Sequence, residues 1–136
     1  MKYCGVNKVE SYKDLIPRNK KDFKRVEKLK NLDRNKILPL LPDLLVFTQD
    51  MNWPVAPAIL EILLTFPTEI VPHVQDFLSS DDDNWKWFIL HFLISELPEE
   101  SKVHFKEYLK RVAENPTKNE LAEELPEIAN EILKTI

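Results

Sequence analysis

Three histidines, His73, His91 and His104, and an aspartate run, Asp81-Asp82-Asp83, are the residues of this chain best equipped for chemistry. Imidazole nitrogens and carboxylates hold metal ions or move protons, and each task imposes a spacing. A helical zinc site wants two histidines one turn apart, as in H-E-x-x-H; here they lie 18 and 13 residues apart, so that spacing is missing. Hard cations want clustered oxygens, but no EF-hand spacing follows Asp81, and aspartate just before an apolar helix is what a helix N-terminus calls for. Capping is the preferred role of the run, and no metal or cofactor is expected. His91 and Ser95 fall at i and i+4, neighbours on a helix face, yet a serine nucleophile also needs an orienting acid and an oxyanion hole. No catalytic residue is assigned.

The tryptophans offer recognition rather than reaction, because large amphipathic rings beside acidic side chains make hot spots for a basic partner. The candidate interaction surface is Asp50, Asn52, Trp53, Asp82, Asp83, Trp85, Lys86 and Trp87, at two turns that stacked hairpins would bring side by side. Trp53 and Trp85 hold equivalent places in an internal repeat, which favours packing for both; Trp87 is the freer ring. A second patch, Lys20, Lys21, Lys24, Arg25, Lys28 and Lys30, could contact phosphate.

Helices must position these residues. Phe23, Val26 and Leu29 recur at three-residue steps among lysines, predicting a basic amphipathic helix over 19–31. A polar loop over 31–35 precedes a helix from about Pro42 to Gln49. Asp50 to Pro54 forms a turn in which Asn52 suits the N-cap of a second, largely buried helix ending near Phe66. A third helix runs to about Leu78 with Pro72 near its start. After the acidic turn, Trp85 to Leu97 reads as an apolar core helix, too short for a membrane span. Pro98, Glu99 and Glu100 open a fifth helix with Val103, Tyr108, Leu109 and Val112 along it, and Lys110 and Arg111 suit its end. Thr117 and Glu120 form a capping box, and Pro126 should kink or divide the last segment.

Leu41-Pro42-Asp43-Leu44 is echoed by Val71-Pro72-His73-Val74, Phe47 by Phe77, and Asn52-Trp53 by Asn84-Trp85, a period of 30 to 32 residues. Such a period signals stacked helical hairpins, each burying a face its neighbour supplies. The expected fold is all-α, a HEAT-like stack of antiparallel hairpins with about six to seven helices, in one domain over 1–136. Within it, 1–37 is a basic capping segment, 38–97 holds two repeats, and 98–136 is a degenerate hairpin. From about Ile16-Pro17 to Leu133 the chain resembles an uncharacterised bacterial family, domain of unknown function 5071. The resemblance rests on Asp50-Met51-Asn52-Trp53-Pro54-Val55-Ala56, on Ile70-Val71-Pro72-His73, and on Ser80-Asp81-Asp82-Asp83 followed by Trp85-Lys86. It implies a helical, HEAT-like fold and no established activity.

Composition narrows the function classes. A single glycine, Gly5, cannot build a phosphate-cradling loop, which excludes P-loop and Rossmann nucleotide sites. One cysteine, Cys4, permits no internal disulfide; with no signal-peptide core and no membrane span, the expected setting is cytoplasmic. Of 19 Lys and Arg, 12 lie in residues 1–37 with only 5 of the 23 Asp and Glu, so the remainder is strongly acidic. The expected function is a non-enzymatic protein-interaction module, immunity-like in one version, with an unidentified protein partner and no membrane. Nucleic-acid binding through the basic N-terminal helix ranks second. An enzyme with its site near the acidic turns is the third reading.

Overall fold

The computed structural model describes residues 14–80 and 82–136, and every regular element among them is helical. We number the α-helices α1 Phe23–Lys30, α2 Arg34–Ile37, α3 Leu41–Leu45, α4 Ala56–Leu64, α5 Val71–Leu78, α6 Asp83–Phe88, α7 Glu99–Lys102, α8 Lys106–Glu114, α9 Lys118–Ala122 and α10 Leu125–Leu133. The protein is therefore all-α. Among the described residues no helix is long and apolar enough to cross a membrane. Contacts divide the chain into two compact units, one ending at Leu63 and one running from Leu64 to Ile136.

In the first unit, the Asp22 carboxylate caps α1 by accepting the Arg25 N–H at 3.3 Å and the Arg25 guanidinium at 3.0 Å. The Arg18 backbone N–H, and then Arg25, hold that carboxyl below its usual range. Val26 and Leu29 are buried as the periodicity requires, but Phe23, placed on the same stripe, is 52% exposed because it opens the helix. The expected loop after α1 is shorter than anticipated. The chain turns helical again at Arg34 and stays so to Thr48, through 3-10 turns at Leu38–Leu40 and Val46–Thr48. Pro39 and Pro42 account for the broken register, since each lacks the N–H that a continuous α-helix needs and sits in the first turn of a new piece. Leu41 and Leu44 are wholly buried, as are Val55, Ala56, Ile59 and Leu63 at and in α4. The Val55 N–H reaches the Lys20 carbonyl at 3.1 Å, tying the approach to α4 to the chain just before α1.

In the second unit, α6 runs without a break into a π-helical turn, Ile89–Leu93, and a 3-10 turn, Ile94–Glu96. Ile89, Leu90, Leu93 and Ile94 are completely buried, so the apolar reading of this segment holds along its inner side. At the widened turn the Ile94 N–H is shared between the carbonyls of Ile89 and Leu90. The fifth helix is split into α7, a 3-10 turn Val103–Phe105, and α8; its buried side carries Phe105, Leu109 and Val112, while Val103 is 46% exposed. Thr117 and Glu120 form the reciprocal capping box of α9. Pro126 divides the last segment, sitting in the first turn of α10. There α10 packs along α8 and against the π-helical turn, burying Leu125, Ala129 and Ile132 at helical spacing.

Candidate functional site

Most of the residues singled out at the two turns have structural work. Asp50 Oδ1 accepts the Asn52 N–H at 2.8 Å and the Asp50 carbonyl accepts the Trp53 N–H at 3.0 Å, folding a tight turn. Because α4 begins only at Ala56, Asn52 lies too far upstream to be its N-cap. In the second unit Asp82 caps α6, its Oδ1 accepting the Trp85 N–H at 3.0 Å. Asp83 pairs with Lys86 at 3.2 Å, with 14% and 7% side-chain exposure. Asp81 lies outside the described residues. Trp53 meets Phe47 edge-on at 6.2 Å, and Trp85 packs on Phe77 at 4.1 Å. Each ring thus rests on the phenylalanine that occupies the same place in the 30-residue echo. Trp53 belongs to the first unit, Trp85 and Trp87 to the second.

Trp87 is different. It stacks on His91, four residues on, with ring centroids 4.0 Å apart and planes 30° from parallel. Phe88 and Phe92 repeat the i, i+4 stacking at 6.2 Å, and Trp87 meets both edgewise. Phe92 is exposed, and the other three rings are half-buried. These four aromatic rings form one patch, with Phe92 its exposed member. The patch straddles the start of the π-helical turn, a distortion frequent at functional sites. Ser95, expected beside His91, donates its hydroxyl to the His91 backbone carbonyl at 2.5 Å. Its oxygen is thus committed to the backbone and makes no nucleophile–base pair with the imidazole.

One edge of the patch opens into a cleft of about 190 Å³ lined by Trp87, His91, Glu124, Glu127 and Ile128. That is below the roughly 300–1,000 Å³ of pockets for cofactors and small molecules. Burial alone moves the His91 imidazole below its ordinary range, favouring the neutral ring. Glu124 and Glu127 are exposed, and no cation pairs with either among the described residues. Glu124 also has the one positive φ among described non-glycine residues, 59° with ψ 32°. It follows the last turn of α9, where glycine is the usual residue, and a side chain there costs about 1–2 kcal/mol.

A second polar group in the same unit is partly buried. Arg111 donates both guanidinium ends to Glu120, at 2.9 and 2.6 Å, and Glu120 also accepts the Thr117 N–H at 2.8 Å. Arg111 lies 5.7 Å from the Tyr108 ring centre. The Glu120 carboxyl is held below its usual value chiefly by the Arg111 hydrogen bonds, with Lys86 adding to the effect. Asp83, Lys86, Tyr108, Arg111 and Glu120 therefore form one electrostatic group linking α6, α8 and α9. Sequence spacing marks Thr117 and Glu120 as a cap, and Lys86 is a candidate surface residue. Nothing in linear spacing shows that the carboxylate and the lysine are buried.

No curated protein matches this chain. A family model does, over residues 15–133, which takes in both turns, the aromatic patch and the acidic start of α10. The chain belongs to the family described as domain of unknown function DUF5071.

Proposed function

We propose that this protein is a non-enzymatic protein-interaction module of the bacterial cytoplasm, a HEAT-like helical scaffold that docks a basic segment of a partner on the aromatic patch of its second unit. The reading rests on one observation: the half-buried Trp87–His91 stack lines one cleft with Glu124 and Glu127, whose carboxylates have no cation of their own among the described residues. Aromatic rings beside unneutralised carboxylates give a positively charged chain both apolar area and charge complementarity. The repeated contacts of Phe47 with Trp53 and Phe77 with Trp85 support the two-repeat scaffold. An immunity-like role, masking a basic toxin, is one form of this proposal and rests on fold and charge alone.

The test compares cross-linked partners of the wild type with those of Trp87→Ala and of Glu124→Lys/Glu127→Lys. A shared partner should be lost from both variants and retained by Lys24→Glu/Lys28→Glu. Identical partner sets would remove the patch from consideration. Reversing Asp82 and Asp83 is a poor probe, because one caps α6 and the other neutralises a buried lysine. Nucleic-acid binding through α1 remains the second reading, since Lys20, Lys21, Lys24 and Lys28 are exposed. Arg25 is already paired with Asp22 and Lys30 with Glu27, which reduces the charge free for phosphate.

A further inference from the structure

Of the features outside the capping and packing network, the cleft beside Trp87 carries the most chemical information. Its lining combines a pair of stacked π-systems, Trp87 and His91, with two exposed glutamates, Glu124 and Glu127, and the half-buried Ile128. An anion is repelled by the carboxylates, and a neutral apolar group leaves them unanswered. A cation suits both the rings and the carboxylates. Ammonium and guanidinium differ here: ammonium is a compact, strongly hydrated charge, whereas guanidinium is planar, weakly hydrated, stacks on aromatic faces and presents a fork of donors to carboxylate. The positive end of α10 opposes any cation with about half a charge, against two full negative charges from Glu124 and Glu127.

We infer that the cleft formed by Trp87, His91, Glu124, Glu127 and Ile128 is a subsite for a single arginine side chain of a partner protein. The inference rests on the interaction-module reading and specifies its chemistry. It also gives the strained backbone a role. Glycine at 124 would relieve the left-handed conformation, but only a side chain there supplies the second carboxylate. Stability and recognition therefore pull in opposite directions at this residue.

The experiment titrates the full-length, isotope-labelled protein with an acetylated, amidated peptide, Gly-Gly-Arg-Gly-Gly, and with its lysine and citrulline counterparts, following amide and indole resonances. Arginine should shift the resonances of residues 87–92 and 124–128, bind severalfold more tightly than lysine, and lose at least tenfold on replacement by citrulline, which keeps the shape and removes the charge. Glu124→Gly should weaken arginine binding about two- to fivefold, the worth of one exposed ion pair, while raising the melting temperature. Trp87→Ala should weaken it about tenfold or more. Equal binding of citrulline, or arginine binding unchanged in the soundly folded Glu124→Gly protein, overturns the inference. If no arginine peptide binds while partner capture still depends on Trp87, the arginine subsite fails and the docking surface stands. Loss of both dependences removes both.

Discussion

The Tyr108 hydroxyl is buried and has no hydrogen-bond partner among the described residues. Burial first, then the Glu120 carboxylate, drive its pKa well above that of a free phenol. An unmade hydrogen bond of this kind costs roughly 1–3 kcal/mol. Tyr108→Phe should therefore raise the melting temperature, by about 3 °C for each kcal/mol recovered, and a thermal melt showing a lower value would mean that the hydroxyl has a partner after all. The sign of the alkaline effect follows from the raised pKa. An unfolded tyrosine ionises near 10.0 and the folded one resists, so this stability is present below that pH and fades as pH rises beyond it. Tyr108→Phe should be the more alkali-resistant protein. Glu120 behaves oppositely: its carboxyl is lowered below 4.5, so its contribution is complete above that value and is lost as pH falls through the depressed folded pKa. Glu120→Gln should flatten the acid limb of the stability profile, and an unchanged limb would assign acid unfolding to other carboxylates. Glu120→Ala removes the Arg111 pair and the reciprocal half of the α9 capping box together; because the Arg111 side chain is 43% exposed and its charge returns to water, the loss should be about 1–2 kcal/mol.

Caps and prolines were the elements most legible in the linear sequence, because they act over three or four residues. Thr117 and Glu120, Asp82 before α6, and Pro126 at the start of α10 all do locally what their types require. Thr117→Ala should cost about 1 kcal/mol of stability in chemical denaturation, and Asp82→Ala a similar amount; a loss near zero in either would mean that water caps that helix as well. Hydrogen-bond register was not legible. Side-chain periodicity gave Trp85 to Leu97 as one helix, and its inner residues are indeed buried, but the π-helical and 3-10 turns within it depend on which carbonyl each N–H meets. The π-helical turn also packs against α10, a long-range contact that linear periodicity does not carry. For the same reason Trp87 could be picked out as the freer tryptophan from its repeat position, whereas Glu124, Glu127 and Ile128, some forty residues further along the chain, could not be recognised as its neighbours. Asp50, Asn52, Trp53, Asp82 and Asp83 were noticed for the right chemical types; the roles seen for four of them are turn, cap, ring packing and ion pair.

At the scale of the whole chain, charge separates the two leading functions. The basic N-terminal part and the acidic remainder belong to one sequence with a net charge of −4, so net charge alone says little about the partner. Ionic strength says more, because it weighs the number of charges meeting at the interface. Two exposed carboxylates on one guanidinium contribute up to about 1 kcal/mol each, so charge accounts for no more than about thirtyfold of the affinity. Screening shortens from about 10 Å at 0.1 M to 3 Å at 1 M salt and should remove only part of that. The stacking on Trp87 and His91 is indifferent to salt and should survive. Duplex DNA held by the exposed lysines before and along α1 would respond far more steeply, since each neutralised phosphate adds roughly one unit to the slope of log affinity against log salt. Arginine-peptide binding should therefore fall by less than about thirtyfold between 50 mM and 1 M sodium chloride, as no more than two ion pairs are screened. Collapse of that binding by several orders of magnitude over the same range would show that many charges, and not one stacked guanidinium, hold the partner.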